Sequence, residues 1–342
     1  MFIYGFPYIL FEIVFSRDVL RVLTDEIITV PLFPILLSWH LGFSFPIKYF
    51  SRFALYIHHP TFLFYYLRSV FKYITHTFYQ TFLNAEQEST GYILANGKRF
   101  DRKLLIVCLF TAVCLTLIHY FQETSFAFEF LRNIGADRIA DRLEERLHHS
   151  VHAQLWRLAW WAGLIVFFYL LVPIAVIRFV FKEKLSEYGL RLRGAFKDIR
   201  IYILMLAVMI PLVLFFSGTK SFQARYPFYE LKPGESLIPD FIIWEGLYFL
   251  QFFSLEFFFR GFLLHGLKNR FGFYSIFVMT IPYCMIHFGK PLPETLAAII
   301  AGIVLGILSL KSRSVFLGVL IHYSVAITMD LCALWQKGFW NH

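Results

Sequence analysis

A glutamate and an arginine four residues apart inside a long apolar stretch are the first groups in this chain equipped for chemistry. The run 241–264, FIIWEGLYFLQFFSLEFFFRGFLL, carries Glu245, Glu256 and Arg260. An ionisable side chain at bilayer depth costs about 2.5–3.5 kcal/mol on insertion scales, so such groups face a bundle interior or a watery cavity and mark function by default. On a helix, Glu256 and Arg260 share one face with the acid on the N-terminal side, the favourable order for such a pair. Two later apolar runs add His287, in IPYCMIHFGKP, and His322, in LGVLIHYSVAITMD. One carboxylate, one guanidinium and two imidazoles suffice to activate water and stabilise an oxyanion.

Each residue also has a plainer reading. Glu256 and Arg260 can form an ion pair that only orients a helix, and a histidine near the end of a span can serve as an interfacial group. Depth helps to choose. If the span 241–265 ends at the basic face, Glu256 is about 13 Å in; His322, counted from a start at 314, is about 12 Å in. These match, whereas His287, counted from 271, comes to about 24 Å and needs tilt, a later start or a bend at Pro282. Glu245 lies about 16 Å along the axis from Glu256 and cannot hold the same water. It is a secondary candidate on an outer cavity.

The elements that must position these groups are membrane helices. The chain has 342 residues, 58% of them hydrophobic, 43 of them Phe and only 16% charged, far more apolar than a soluble domain. An all-α polytopic bundle of about 7–9 transmembrane helices is expected. No removable signal peptide is recognisable at the N-terminus. The net charge of +9 sits mainly between apolar runs, so it points to positive-inside topology and anionic lipid, not to nucleic acid. The lipid bilayer is the partner this composition implies. Cys108, Cys114, Cys284 and Cys332 lie within apolar runs without zinc or disulfide spacing.

In chain order, apolar pieces at 2–15 and 27–45 are broken by prolines, and 48–83 reads as an interfacial amphipathic segment or a span. Residues 1–103 form an N-terminal membrane-associated region. Spans follow at 104–121, 156–181 and 201–216, with a charged connection at 122–155 and a basic linker helix at 182–200. These make an accessory part at 104–216. After a polar, proline-rich boundary at 217–240 come four spans, 241–265, 271–288, 295–310 and 314–335, joined by short loops and forming a four-helix core at 241–335. Ala298, Gly302 and Gly306 give the third of these a smooth stripe for close helix approach. His148 and His152, with Glu144 and Glu145 nearby, have zinc-compatible spacing, but in a charged connecting segment they read as a solvated face. No metal and no cofactor is assigned.

SLEFFFRG, YCMIH and HYSVA together resemble the three-motif signature of the CAAX-protease and bacteriocin-processing family of glutamate-type intramembrane proteases. That pattern is Glu-Glu-x-x-x-Arg, Phe-x-x-x-His and His-x-x-x-Asn. The likeness covers roughly 241–335, with a vaguer echo in EYGLRLRG. It implies a multi-pass enzyme of a bacterial cell membrane that cleaves a peptide bond in a membrane-anchored, prenylated or sorting-signal-type protein or peptide. By this resemblance Glu256, Arg260, His287 and His322 are the catalytic set, with Tyr283 standing at the Phe position. Two departures stand out: Leu255 replaces the first glutamate, and Ala326 replaces the asparagine that helps hold the oxyanion. Either Glu256 serves as base or the chain is a binding relative, a scaffold or immunity-type protein, without the chemistry. Asp330, four residues past Ala326, is a further secondary candidate.

Overall fold

In hydrocarbon every backbone N–H and C=O must be satisfied within the protein, so long apolar runs become helices. The computed structural model describes residues 60–97, 100–231 and 238–339, and the readings made for 2–15 and 27–45 lie outside them. Among the described residues every regular element is helical. The chain divides into two units, Met1–Tyr73 and Ile74–His342, and the candidate site lies wholly within the second.

The segment read as interfacial at 48–83 is helical from Pro60, in α1 (Pro60–Asn96), whose Thr77, Thr81 and Ser89 are buried at helical spacing. Helix α2 (Arg102–Phe121) opens on a cap in which the Asp101 carboxylate accepts from the Leu104 N–H at 3.0 Å. Two short helices, α3 (Thr124–Asn133) and α4 (Asp137–Glu144), build the charged connection. Helix α5 (Ala153–Phe181) then returns across the bundle, and α6 (Ile199–Ser217) follows.

The stretch 182–200 departs from expectation. It is not a linker helix: only one 3₁₀ turn, Leu185–Tyr188, forms before α6. Gly189 and Gly194 sit at φ +85° and +84°, left-handed conformations that end helical propagation. Gly189 also lies where a Cβ would come 2.7 Å from the Val315 side chain, so the segment folds down onto the bundle.

The core begins with α7 (Asp240–Glu256), a π-helical stretch (Phe257–Leu263) and α8 (Leu264–Phe271). The rod turns back at Gly272–Tyr274 into α9 (Ser275–Met285), which brings Tyr283 to Phe259 at 5.3 Å between ring centroids. Helices α10 (Leu292–Ser312) and α11 (Phe316–Gln336) complete it. Six segments among the described residues are long and apolar enough to cross a membrane, the bent stretch Asp240–Met285 among them. The chain is thus a multi-pass integral membrane helix bundle.

Packing here is governed by close approach, since lipid is as apolar as leucine. The small-residue stripe of α10 meets α9: a Cβ on Gly302 would lie 2.9 Å from Thr280 and 3.2 Å from Tyr283, and one on Gly306 would lie 3.0 Å from Ile276. The largest buried cluster gathers Phe257, Phe258, Phe259, Phe262 and Tyr283 with residues of α2, α5 and α10.

Candidate active site

Glu256 ends α7, and the π-helical turns that follow widen the backbone around Arg260. Such turns are frequent at functional sites because they re-aim side chains and free carbonyls from the regular ladder. Here the Arg260 carbonyl accepts from the Ser309 hydroxyl of α10 at 3.2 Å. The Arg260 guanidinium donates through Nη1 to Glu256 Oε1 at 3.0 Å and lies 3.8 Å above the centre of the Tyr283 ring. Stacking on an aromatic face suits a buried guanidinium.

Helix α11 brings His322 to the same carboxylate, with Nδ1 2.9 Å from Glu256 Oε1. An ionised carboxylate only accepts, so Nδ1 carries the hydrogen, and in the neutral ring Nε2 keeps its lone pair. Among the described residues Nε2 has no hydrogen-bond partner, and it is not sealed from the surface. Glu256, in contrast, is completely buried. Its Oε1 serves both Arg260 and His322, and its Oε2 faces Gly318, where a Cβ would lie at 2.7 Å. Of this pair, His322 is the group with a partly exposed side chain, 18% against 0% for Glu256.

His287 follows α9 in the turn. Its Nδ1 donates to the Tyr283 carbonyl at 2.8 Å, which leaves Nε2 as an unbonded acceptor here too. The carbonyl of His287 accepts from the Thr295 hydroxyl at 2.9 Å, so the ring is anchored from both sides. Tyr283 links the two imidazoles, its ring centre 4.9 Å from that of His287 and 6.3 Å from that of His322. The depth mismatch foreseen for His287 is eased because α9 starts only at Ser275 and ends at Met285.

The secondary candidates divide. Tyr283 belongs to this site. Glu245 and Asp330 do not: they form a separate buried cluster towards the opposite end of α7 and α11. The Tyr323 hydroxyl donates to Glu245 Oε2 at 3.2 Å, and Asp330 interacts with Glu245. Both Asp330 oxygens lack a hydrogen bond at normal distance. Leu255 and Ala326, 5% and 4% exposed, are packed into apolar clusters. Among the described residues no three His, Cys, Asp or Glu side chains converge as a metal site. His152 instead pairs with Asp240 at 2.5 Å, and His148 contacts Thr124 at 3.3 Å.

Two participants escaped the sequence reading. Gly318, four residues before His322 on the same helix face, makes room for the Glu256 carboxylate. Ser309 holds the Arg260 carbonyl, and no spacing rule signals it.

Comparison with known families now bears on this geometry. Residues 238–328 match one family model. The family model they match is described as type II CAAX prenyl endopeptidase Rce1-like. The Rce1-like stretch runs from the turn before α7 into α11, and so contains Glu256, Arg260, Tyr283, His287, Gly318 and His322. Comparison with curated proteins gives no match, and comparison with solved structures gives none.

Proposed function

We propose that this chain is an intramembrane endopeptidase of the CAAX type, acting on a membrane-anchored, prenylated or sorting-signal-type protein or peptide. In this reading Glu256 does not touch the water; it fixes the His322 tautomer, and His322 Nε2 is the general base. The water oxygen attacks the scissile carbonyl while His322 takes a water proton and later returns it to the leaving amine nitrogen. His287 Nε2 accepts the water's other hydrogen and so fixes its orientation. Arg260 holds the Glu256 carboxylate in place, and Tyr283 supports the guanidinium and spaces the two histidines. A helical substrate must unwind locally, because its carbonyl is otherwise hydrogen-bonded.

The observation that carries this reading is the 2.9 Å contact of His322 Nδ1 with a buried carboxylate while Nε2 stays unbonded. A positioned general base contributes about 10²–10⁴ in rate. Replacing His322 by Gln in proteoliposomes should therefore reduce cleavage of a membrane-anchored reporter by about that factor. Undiminished cleavage would remove His322 from the mechanism. The family resemblance supports a bacterial cell membrane as its location in the same reading, and the basic flanks support an orientation with those flanks in the cytoplasm.

A second reading is a binding relative without catalysis. It is favoured by Leu255 and Ala326, whose side chains are buried in apolar packing at two positions where the family motif is polar. The same reporter assay separates the two, since a binding relative leaves the reporter intact in every variant.

A further inference from the structure

At the basic end of the bundle the segment 183–191 folds over the start of α2, the end of α8 and the turn before α11. Between them lies a cleft of about 440 Å³ whose walls include Lys103, Glu183, Arg191, His265, Lys268 and Arg313. This volume lies in the range of small-molecule sites.

The charges in the cleft do not cancel. Lys103 is matched by Glu183 at 2.7 Å. Lys268 and Arg313 share one carboxylate, that of Glu88, which stands outside the lining. Arg191 forms no ion pair among the described residues. The lining carries Lys103, Arg191, Lys268 and Arg313 against the carboxylates of Glu183 and Glu187, so positive charge is in excess in a pocket at the level of the helix ends. Asn269 and Ser186 add neutral hydrogen-bonding groups to the wall.

His265 adds a second, independent demand. It is 3% exposed, its Nε2 lies 3.3 Å from Ser309 Oγ, and its Nδ1 has no partner. The Ser309 hydroxyl donates to the Arg260 carbonyl, which can only accept, so Ser309 Oγ in turn accepts from His265 Nε2. A neutral His265 therefore keeps an unused lone pair on a buried Nδ1, in a residue that lines the cleft. A buried polar atom of this kind calls for a donor.

We propose that this cleft is a binding site for a phosphate bearing a hydroxyl hydrogen, supplied either by the headgroup of an anionic phospholipid or by a soluble phosphate. The phosphate oxygens meet Lys268, Arg313 and Arg191, and the hydroxyl, a P–OH or a glycerol OH, donates to His265. Basic pockets between membrane helices take such headgroups, each nearby cation contributing about fivefold in affinity. The inference does not depend on peptidase activity.

The test uses the full chain in phosphatidylcholine nanodiscs, with thermal unfolding followed as phosphatidylglycerol is included or as inorganic phosphate is titrated at constant ionic strength. The site predicts stabilisation by at least one probe, with apparent affinity about fivefold weaker in Arg191→Gln and in Lys268→Gln. Arg138→Gln, an exposed charge on α4, should leave the response unchanged. A response to phosphatidylglycerol alone assigns the site to lipid, and one to inorganic phosphate alone assigns it to a soluble ligand. Absence of any response, or an equal loss in Arg138→Gln, overturns the proposal.

Discussion

His322 gives its Nδ1 hydrogen to the fully buried Glu256 carboxylate at 2.9 Å and leaves Nε2 unbonded. A buried acid that sets the tautomer and orientation of an imidazole is a recurrent way to build a base. It accounts for how a chain with Leu255 in place of the family's first glutamate can retain a base. In the proposed mechanism the acid, Glu256, sits one residue later and acts on water through His322.

The contact requires α11 to approach α7 without a side chain at position 318. A methyl there would lie 2.7 Å from Glu256 Oε2. Gly318→Ala is expected to destabilise the fold by about 1–3 kcal/mol through overpacking. It should also lower reporter cleavage by more than the stability loss explains, because it pushes the carboxylate off His322. Thermal unfolding and initial cleavage rates on one preparation give both numbers.

Restoring the family's glutamate should not help. Leu255 is 5% exposed and belongs to the main apolar cluster. Leu255→Glu is expected to lower stability by several kcal/mol, about the penalty for burying a polar group without a partner, and to leave cleavage no higher than wild type. A gain in rate would show that position 255 reaches the cavity after all.

Asp330 is fully buried with neither oxygen hydrogen-bonded at normal distance, and Glu245 is its neighbour. Crowded buried acids without cations are a burden on the fold, because a carboxylate taken out of water without a compensating charge is costly. Asp330→Asn should raise the unfolding temperature and leave reporter cleavage close to the wild-type rate, because Asp330 lies apart from Glu256 and His322. A collapse of activity would return Asp330 to the site.

Much of the site was legible because its signals are local. The i,i+4 spacing of Glu256 and Arg260 appears directly as a 3.0 Å ion pair. The depths estimated for Glu256 and His322 placed them at one level, and the two side chains touch. The Ala298, Gly302, Gly306 stripe was readable as a packing face and does receive α9. Other features depend on contacts distant in sequence. The pairing of Glu245 with Asp330 needs α7 and α11 side by side, and the sealing of Glu256 needs Gly318. The π-helical stretch at Phe257–Leu263 leaves no mark in the apolar periodicity of 241–264, and the helix-favouring charges of 182–200 concealed two glycines in left-handed conformation.

The most direct test of the dyad is a double-mutant cycle of reporter cleavage in proteoliposomes with Glu256→Gln, His322→Gln and both. Residues that act as one unit lose their effect together, so each single variant should fall by about 10²–10⁴ and the double variant no further. Losses that multiply in the double variant, or a Glu256→Gln enzyme that cleaves at the wild-type rate, would contradict the account.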